Sequence, residues 1–380
     1  MMRVSISAVG TRGDVQPALA LATELRSRGH AVRLAISPNF VAWAESLGHE
    51  AHPMGVEMRV GAPSDERTRA IASDLIGNQF DVLDAVAEGC DAIVGAGVHQ
   101  YAARSIGERR GIPVTIAAYA PVSLPSSGLP PISAVRSADP TSTDVAARWR
   151  ETRAAWNARS LERVNHHRAR RGLAPIDDVL DHVLGDAPWL AADRELAPIE
   201  GVRQTGAWML ETSTPLPAAL EAFLRDGDAP VYVGLGSMPA PRETGRALAD
   251  AVRACGRRVI LSRGWAELEL GDADGAIAID DVDHHALFPR LAAVVHHGGA
   301  GTTTAAARAG VAQIVTPMFG DQFYFGERVE ALGVGRSAPL ASLADAVRDA
   351  LAPSVLERAR ALAPRITTDG ASIAAASITG

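Results

Sequence analysis

The stretch from Leu291 to Gln322, LAAVVHHGGAGTTTAAARAGVAQIVTPMFGDQ, constrains the fold of this chain more than any other. It reads as a buried strand ending at His296 and His297, a turn of glycines, a helix opening at Thr302 and Thr303, and a second buried strand over Gln313–Thr316. A polar loop carrying Asp321 and Gln322 follows. Strand, turn, helix and strand in that order form the unit of a parallel sheet. Gly298, Gly299 and Gly301 carry no Cβ, so their backbone N–H groups can approach a ligand closely. The helix N-terminus beyond them has unpaired donors and the positive end of the dipole. Together they make a site for a phosphate or diphosphate. The plain alternative is a strand–helix turn that binds nothing.

The start of the chain repeats the pattern. Arg3–Val9 is β-prone, Gly10-Thr11-Arg12-Gly13-Asp14 is a turn, and Val15, Ala18, Leu19, Ala22 and Leu25 recur at helical spacing up to Gly29. Val32–Ile36 is the next strand. A helix over Asn39–Leu47, an irregular stretch Pro53–Asp65 and a helix Ile71–Glu88 follow. Strands Ala92–Val94 and Val114–Ala118 flank a helix Tyr101–Arg109. Residues Ala120–Thr143 are dense in Pro and Ser and read as a long functional loop. Arg-rich helices occupy Val145–Arg171, and Glu211–Pro217 reads as a linker. A second β–turn–α opening starts at Val231–Gly234 with Leu235-Gly236-Ser237, and strands Arg258–Leu261 and Ala276–Ile279 precede the glycine stretch. Phe325–Leu332 is a helix and the tail Leu340–Ile378 is helical. The chain is therefore α/β, with two Rossmann-like halves, residues 1–210 and 211–380, facing a cleft and the tail helix returning to the first. Ligands of such sheets sit at the carboxyl ends of the strands, where both glycine turns lie.

Composition narrows the chemistry. The chain has 380 residues and a net charge of −7, which argues against nucleic acid. No apolar run is long enough to span a bilayer, and the N-terminal residues carry no signal pattern. Cys90 and Cys255 fall in different halves, which fits a reducing cytoplasm and excludes a disulfide framework. All 37 basic residues are arginine. That removes a Schiff-base lysine, a pyridoxal phosphate anchor, a Walker-A lysine and a Ser–Lys dyad.

Several polar residues stand where chemistry is expected. Asp14 is either a helix N-cap or a general base taking a proton from an attacking hydroxyl. As a cap it would put Pro17, which has no N–H, at the third helical position. Arg12 can pair with phosphate, hold the Asp14 carboxylate, or lie solvated in its turn. Successive strand residues point to opposite faces, so one of His296 and His297 faces the turn, and His297 is the expected phosphate contact. Ser237 can reach the same phosphates or cap the following helix. Asp321 and Gln322 suit vicinal sugar hydroxyls, the alternative being an ordinary turn. Asp280, Asp281 and Asp283 have the spacing of a metal site on a diphosphate. Comparable acidic pairs recur elsewhere in the chain, and no metal is expected.

GTRGDVQP near the N-terminus, GLGS, HHGGAGTT and FGDQFYFGERVEALGVG, in that order along nearly the whole chain, resemble the GT-B glycosyltransferases of family 1. PVSLPSSGLPP, PWLAADRELAP, TGAWML and SRGWAELEL are similar to the bacterial enzymes that glycosylate vancomycin-group glycopeptides. The first and last motifs also occur in sterol glucosyltransferases, which keeps a flat hydrophobic acceptor open. The resemblance implies an inverting, metal-independent transfer from a UDP- or dTDP-sugar to a hydroxyl of a hydrophobic or aromatic aglycone, without a cofactor. It implies Asp14 as base and His297, Gly299, Ala300, Gly301 and Thr302 as diphosphate contacts, with Ser237, Arg12 and Gly13 beside them. Val282 marks the nucleobase segment, and Asp321 with Gln322 the sugar. The loops of roughly 55–75 and 120–145 are where the acceptor is expected to be selected. Competing readings are a sugar-nucleotide epimerase and a non-catalytic nucleotide-sugar-binding protein. A dinucleotide oxidoreductase fits worst, because neither glycine turn completes G-x-G-x-x-G.

Overall fold

Short apolar runs closed by glycine or polar turns set the architecture. A computed structural model describes residues 1–58, 71–125, 128–132, 143–211, 214–271 and 274–380. The chain divides into two compact units. The first comprises Met1–Asp193, Pro198–Leu210 and Thr368–Gly380, the second Arg194–Ala197 and Glu211–Thr367.

The first unit runs β1 (Arg3–Ala8), α1 (Arg12–Ser27), β2 (Ala31–Ile36), α2 (Val41–Ser46), β3 (Glu50–Pro53), α3 (Leu75–Val86), β4 (Ala92–Ala96), α4 (Ala103–Arg110) and β5 (Val114–Ala118). It continues with α5 (Val145–Ala169), α6 (Val179–Leu184), β6 (Trp189–Leu190) and β7 (Arg203–Gln204). The strands pair in parallel in the order β3-β2-β1-β4-β5-β6-β7. A parallel sheet is covered on both faces, so its central strands are apolar throughout, and all five residues of β4 are buried.

The second unit runs α7 (Ala218–Arg225), β8 (Val231–Gly234), α8 (Thr244–Arg253), β9 (Val259–Ser262), β10 (Ala276–Ile279), α9 (His284–Leu287), β11 (Ala293–His296) and α10 (Ala300–Arg308). Then come β12 (Ala312–Val315), α11 (Gln322–Ala331), β13 (Gly335–Ser337), α12 (Leu343–Ala350) and α13 (Pro353–Leu362). Its sheet is also parallel, in the order β10-β9-β8-β11-β12-β13. Val231, Val233, Val259, Leu261, Val295 and Ile314 form its core with Leu248 and Val252 of α8 and Leu343 and Val347 of α12. The last helix, α14 (Gly370–Thr379), belongs to the first unit, where Arg28 of α1 donates to the Ser372 hydroxyl (2.6 Å) and carbonyl (3.1 Å).

In each sheet the strand order reverses at one place, between β1 and β4 and between β8 and β11. Connections leave those two strands toward opposite faces, so a crevice opens at their carboxyl ends. Gly10–Asp14 follows β1 and His297–Thr302 follows β11, each at such a point.

Four strands escape sequence reading: β3 (EAHP), β6 (WL), β7 (RQ) and β13 (GRS). They are short and lack an apolar run, and their pairing is supplied by the neighbouring strand. Three helix starts also differ. α1 begins at Arg12, α10 begins at Ala300 rather than Thr302, and α8 begins at Thr244, well after Ser237. Residues 59–70, 126–127 and 133–142 of the proposed acceptor segments, 55–75 and 120–145, lie outside the described residues, as do two positions of the 211–217 linker.

Candidate functional site

In the first unit the site is built on the start of α1. Thr11 is the N-cap and Asp14 the third helical residue. The Asp14 Oδ2 accepts from the Thr11 N–H (2.7 Å) and hydroxyl (3.2 Å). Asp14 is thus not the cap but the residue that reaches back to it, as in a capping box. Pro17 consequently lies one turn further in than a cap at Asp14 would put it, and its missing N–H leaves the exposed Gly13 carbonyl without a helical partner.

Gly10 makes this arrangement possible. Its φ is +146°, and a Cβ there would sit 2.1 Å from Asp14 Oδ2. Its N–H and carbonyl are both held by the buried Ser37 hydroxyl, at 2.8 and 2.9 Å. On the other side, a Cβ on Gly97 at the end of β4 would lie 3.7 Å from Asp14 Oδ1 and 3.8 Å from the Tyr119 ring. Oδ1 therefore borders the space that Gly97 leaves open. The Tyr119 hydroxyl donates to the Asp14 carbonyl (3.0 Å) and its ring meets Trp208 edge-on. Burial raises the Asp14 carboxyl from 3.8 to about 6, against the Thr11 N–H and hydroxyl, which lower it. Burial, and then the Asp14 charge, push Tyr119 well above its ordinary value. A carboxylate that ionises near 6 is charged at neutral pH and still basic enough to take a proton.

Arg12 is turned toward its own unit. Its Nε donates to Gln16 Oε1 (3.1 Å) and its guanidinium lies 4.8 Å from the centre of the Trp43 ring. The Asp14 Oδ2 is taken by the Thr11 N–H and hydroxyl.

In the second unit the two histidines divide as strand geometry requires. His296 is fully buried: its Nδ1 accepts from the Gly298 N–H (3.1 Å), and its Nε2 lies 3.0 Å from Gln313 Oε1. Nε2 therefore carries the proton and the ring is a neutral structural link, with a pKa lowered to about 3 mainly by burial. His297 lies between two glycines. A Cβ on Gly236 would be 3.0 Å from its Cε1, and one on Gly299 would be 2.5 Å from its Nε2. Its Nδ1 is buried and has no hydrogen-bond partner, and burial lowers its pKa to about 4.

Gly299 is the N-cap of α10, in extended conformation. The first intrahelical bond runs from the Thr303 N–H to the Gly299 carbonyl, so the amides of Ala300, Gly301 and Thr302 precede the ladder. Of the three threonines, Thr303 and Thr304 turn their hydroxyls back to the Gly299 and Ala300 carbonyls, at 3.0 and 2.8 Å. The Thr302 hydroxyl makes no bond among the described residues. A Cβ on Gly301 would meet nothing within 4 Å. Amides ahead of the ladder, the Thr302 hydroxyl and the open space beyond Gly301 lie together at the start of α10, and the His297 ring packs against its N-cap through Nε2. Ser237 sits in the loop beyond β8, beside the Gly236 that packs on His297, and is no helix cap.

The remaining expected residues have other partners. Gln322 is 3% exposed; its Oε1 accepts from the Met318 (2.8 Å) and Phe319 (3.2 Å) N–H groups, and its Nε2 donates to Met238 Sδ (3.0 Å). Its carbonyl oxygen is thus spent on the loop, and only an amide hydrogen remains for a sugar hydroxyl. Asp321 is the N-cap residue of α11 and is half-buried. Val282 lies between β10 and α9. Asp283 beside it caps α9 through the His285 N–H (2.8 Å), and Asp280 pairs with Arg263 (3.2 Å). No group of three or more metal-ligating side chains converges among the described residues.

Sequence reading missed Gly10, Gly97 and Tyr119 as walls of the Asp14 site. The signal for the glycines was present, since Gly97 directly follows β4 and Gly10 comes one residue after β1.

Residues 4–124 match the glycosyltransferase family 28 N-terminal domain, and residues 249–375 match the erythromycin biosynthesis protein CIII-like C-terminal domain. The vancomycin aglycone glucosyltransferase of Amycolatopsis orientalis is 42% identical, over 98% of this chain and 96% of that protein. The dTDP-epi-vancosaminyltransferase of the same organism is 40% identical, over 94% and 92%. Among solved structures, the glycotransferase of kitacinnamycin superposes with a TM-score of 0.75 at 21% identity, covering 99% of this chain and 98% of that one. The chain belongs to the GT-B glycosyltransferases, in the group that contains the vancomycin-type enzymes of antibiotic biosynthesis.

Proposed function

We propose that this glycosyltransferase moves a hexose or deoxyhexose from a UDP- or dTDP-sugar to a hydroxyl of a natural-product aglycone, with inversion and without a metal ion, in the cytoplasm. The observation that carries the donor half is the His297 ring against the α10 N-cap, its Nε2 2.5 Å from where a Gly299 Cβ would sit, together with the amides of Ala300, Gly301 and Thr302 that precede the helix ladder. These dipoles suit a leaving diphosphate, and each aligned donor contributes roughly 3 kcal/mol where charge develops. Asp14 supplies the acceptor half. The acceptor oxygen bonds to the anomeric carbon as its proton passes to the Asp14 carboxylate. The bond from that carbon to the diphosphate oxygen breaks, and the electron pair leaves with the nucleotide. One displacement gives inversion. Ser237 and the Thr302 hydroxyl complete the diphosphate contacts, Val282 borders the nucleobase, and Asp321 with the remaining Gln322 amide hydrogen faces the sugar. Arg12 and Gly13 are assigned to the donor only through the diphosphate.

Relatives named for a vancomycin aglycone and a dTDP-sugar support the choice of both substrates. Mass spectrometry of reactions crossing UDP- and dTDP-sugars with glycopeptide, polyketide, ansamycin and sterol aglycones tests it. The expected product gains one hexose or deoxyhexose, with the anomeric configuration inverted and the rate unchanged by EDTA. Epimerisation of the donor without acceptor, or tight nucleotide binding without turnover on any acceptor, would overturn it.

A further inference from the structure

Beyond Gly97 the chain continues as Val98-His99-Gln100-Tyr101, at the carboxyl end of β4. β4 pairs directly with β1, whose carboxyl end leads to Asp14, so the two segments leave the same edge of the sheet from adjacent strands. The His99 imidazole stacks on Trp156 of α5, with ring centres 5.4 Å apart and planes 8° from parallel. Tyr101 leans on both, 5.7 Å from Trp156 and 6.3 Å from His99. The backbone under these rings is pinned by two buried amides. Gln79 donates to the His99 carbonyl and Gln100 to the Ala96 carbonyl, each at 3.0 Å.

The group has no evident structural need for its outermost member. His99 is exposed, while Tyr101 and Trp156 are half-buried. Neither ring nitrogen of His99 has a hydrogen-bond partner among the described residues. Desolvation against the rings packed on it lowers its pKa from the ordinary imidazole value, which disfavours a charge that would attract phosphate. A rigidly held, neutral, already stacked ring open on its outer side suits a flat π-system, which stacks offset on such a surface.

We infer that His99, backed by Trp156 and Tyr101, is an acceptor-recognition platform on which an aromatic ring of the aglycone stacks. The inference rests on the transfer reaction proposed above. It commits the acceptor to a class that bears an aromatic ring, in preference to a saturated sterol.

The test is equilibrium binding, which does not depend on turnover. Full-length wild type, His99→Ala and His99→Phe are titrated with 4-methylumbelliferone and, separately, with vancomycin aglycone, followed by fluorescence. Donor affinity is measured by calorimetry with dTDP, and folding by thermal unfolding. His99→Ala is expected to weaken the aromatic acceptors about 3- to 10-fold, leave the dTDP Kd unchanged and unfold at the wild-type temperature. His99→Phe is expected to restore acceptor binding. Unchanged acceptor affinity in a folded His99→Ala protein, or no rescue by phenylalanine, overturns the platform. Failure of the wild type to transfer sugar to either acceptor while this pattern holds would instead overturn the proposed reaction.

Discussion

Replacing Asp14 by Asn separates the cost of a buried base from its use. An ordinary aspartate ionises near 3.8, and burial lifts Asp14 to about 6. At about 1.4 kcal/mol per pKa unit, carrying the charge costs the folded state roughly 3 kcal/mol above pH 6. Asn keeps an oxygen for the Thr11 N–H and hydroxyl, and the charge assistance those bonds lose is already contained in the net shift. The expectation is a variant more stable by about 3 kcal/mol at pH 8, a rise of roughly 6–12 °C in the unfolding of a domain this size. The sign depends on pH. Below 3.8 the carboxyl is protonated in folded and unfolded chains alike, and the charge costs nothing. Between 3.8 and 6 the unfolded chain ionises first and the wild type loses stability, so the gap opens there. Above about pH 7 it is constant. Differential scanning calorimetry from pH 4 to 8 measures it. The same substitution removes the proposed base: kcat is expected to fall by about 10²–10⁴, and the wild-type rise of rate through pH 6 to disappear, while the nucleotide Kd holds. A pH-independent difference in unfolding temperature, or wild-type turnover in the variant, would refute the reasoning.

Gly299→Ala should drive its Cβ against His297 Nε2, where only 2.5 Å is available, and tilt the ring. The expected result is a nucleoside diphosphate Kd about tenfold weaker by calorimetry, with the fold intact. Gly298→Ala acts on stability instead. Its φ of +95° and the 2.7 Å approach to Val315 Cγ1 predict a loss of about 2 kcal/mol or more in denaturant unfolding. The two histidines should part in the same way. His297→Ala weakens diphosphate binding with little change in unfolding temperature. His296→Ala leaves Gln313 unpaired in a dry core and lowers stability by about 2–4 kcal/mol.

The parallel-sheet framework was legible because its signal is local. A strand buried on both faces must be apolar, and a strand–helix turn at a switch point must be small, so VVHHGGAG and ISAVGTRG announce themselves. The choice of His297 over His296 was legible for the same reason, since strand residues alternate. What stayed hidden depends on partners remote in sequence. Whether α1 begins at Arg12 or at Val15 turns on whether Thr11 or Asp14 is the better cap, and the Thr11–Asp14 reciprocity decides it. Gln322 looks like a sugar ligand in isolation; its commitment to Met318, Phe319 and Met238 follows from how the 318–320 loop folds back. Tyr119 reaches the Asp14 carbonyl over 105 positions, and no spacing rule connects them.

Burial acts on Asp14 of the first unit and His297 of the second with opposite signs, and both signs suit the roles proposed for them. It raises Asp14 to about 6 because it penalises an anion, and lowers His297 to about 4 because it penalises a cation. At neutral pH Asp14 is therefore charged but only just held so, as the proposed base requires, while His297 is uncharged. A neutral His297 cannot trap the product diphosphate as a permanent cation would. It offers a single N–H, alongside amides whose dipoles are fixed before the substrate arrives and need no reorganisation when charge develops. The glycines are the common structural cause. Gly10 and Gly97 give the carboxylate room inside the protein, and Gly236 and Gly299 give the imidazole room between two turns. A Cβ at Gly10, Gly236 or Gly299 would collide with the neighbouring titrating group, whereas one at Gly97 would only narrow the space beside Asp14 Oδ1.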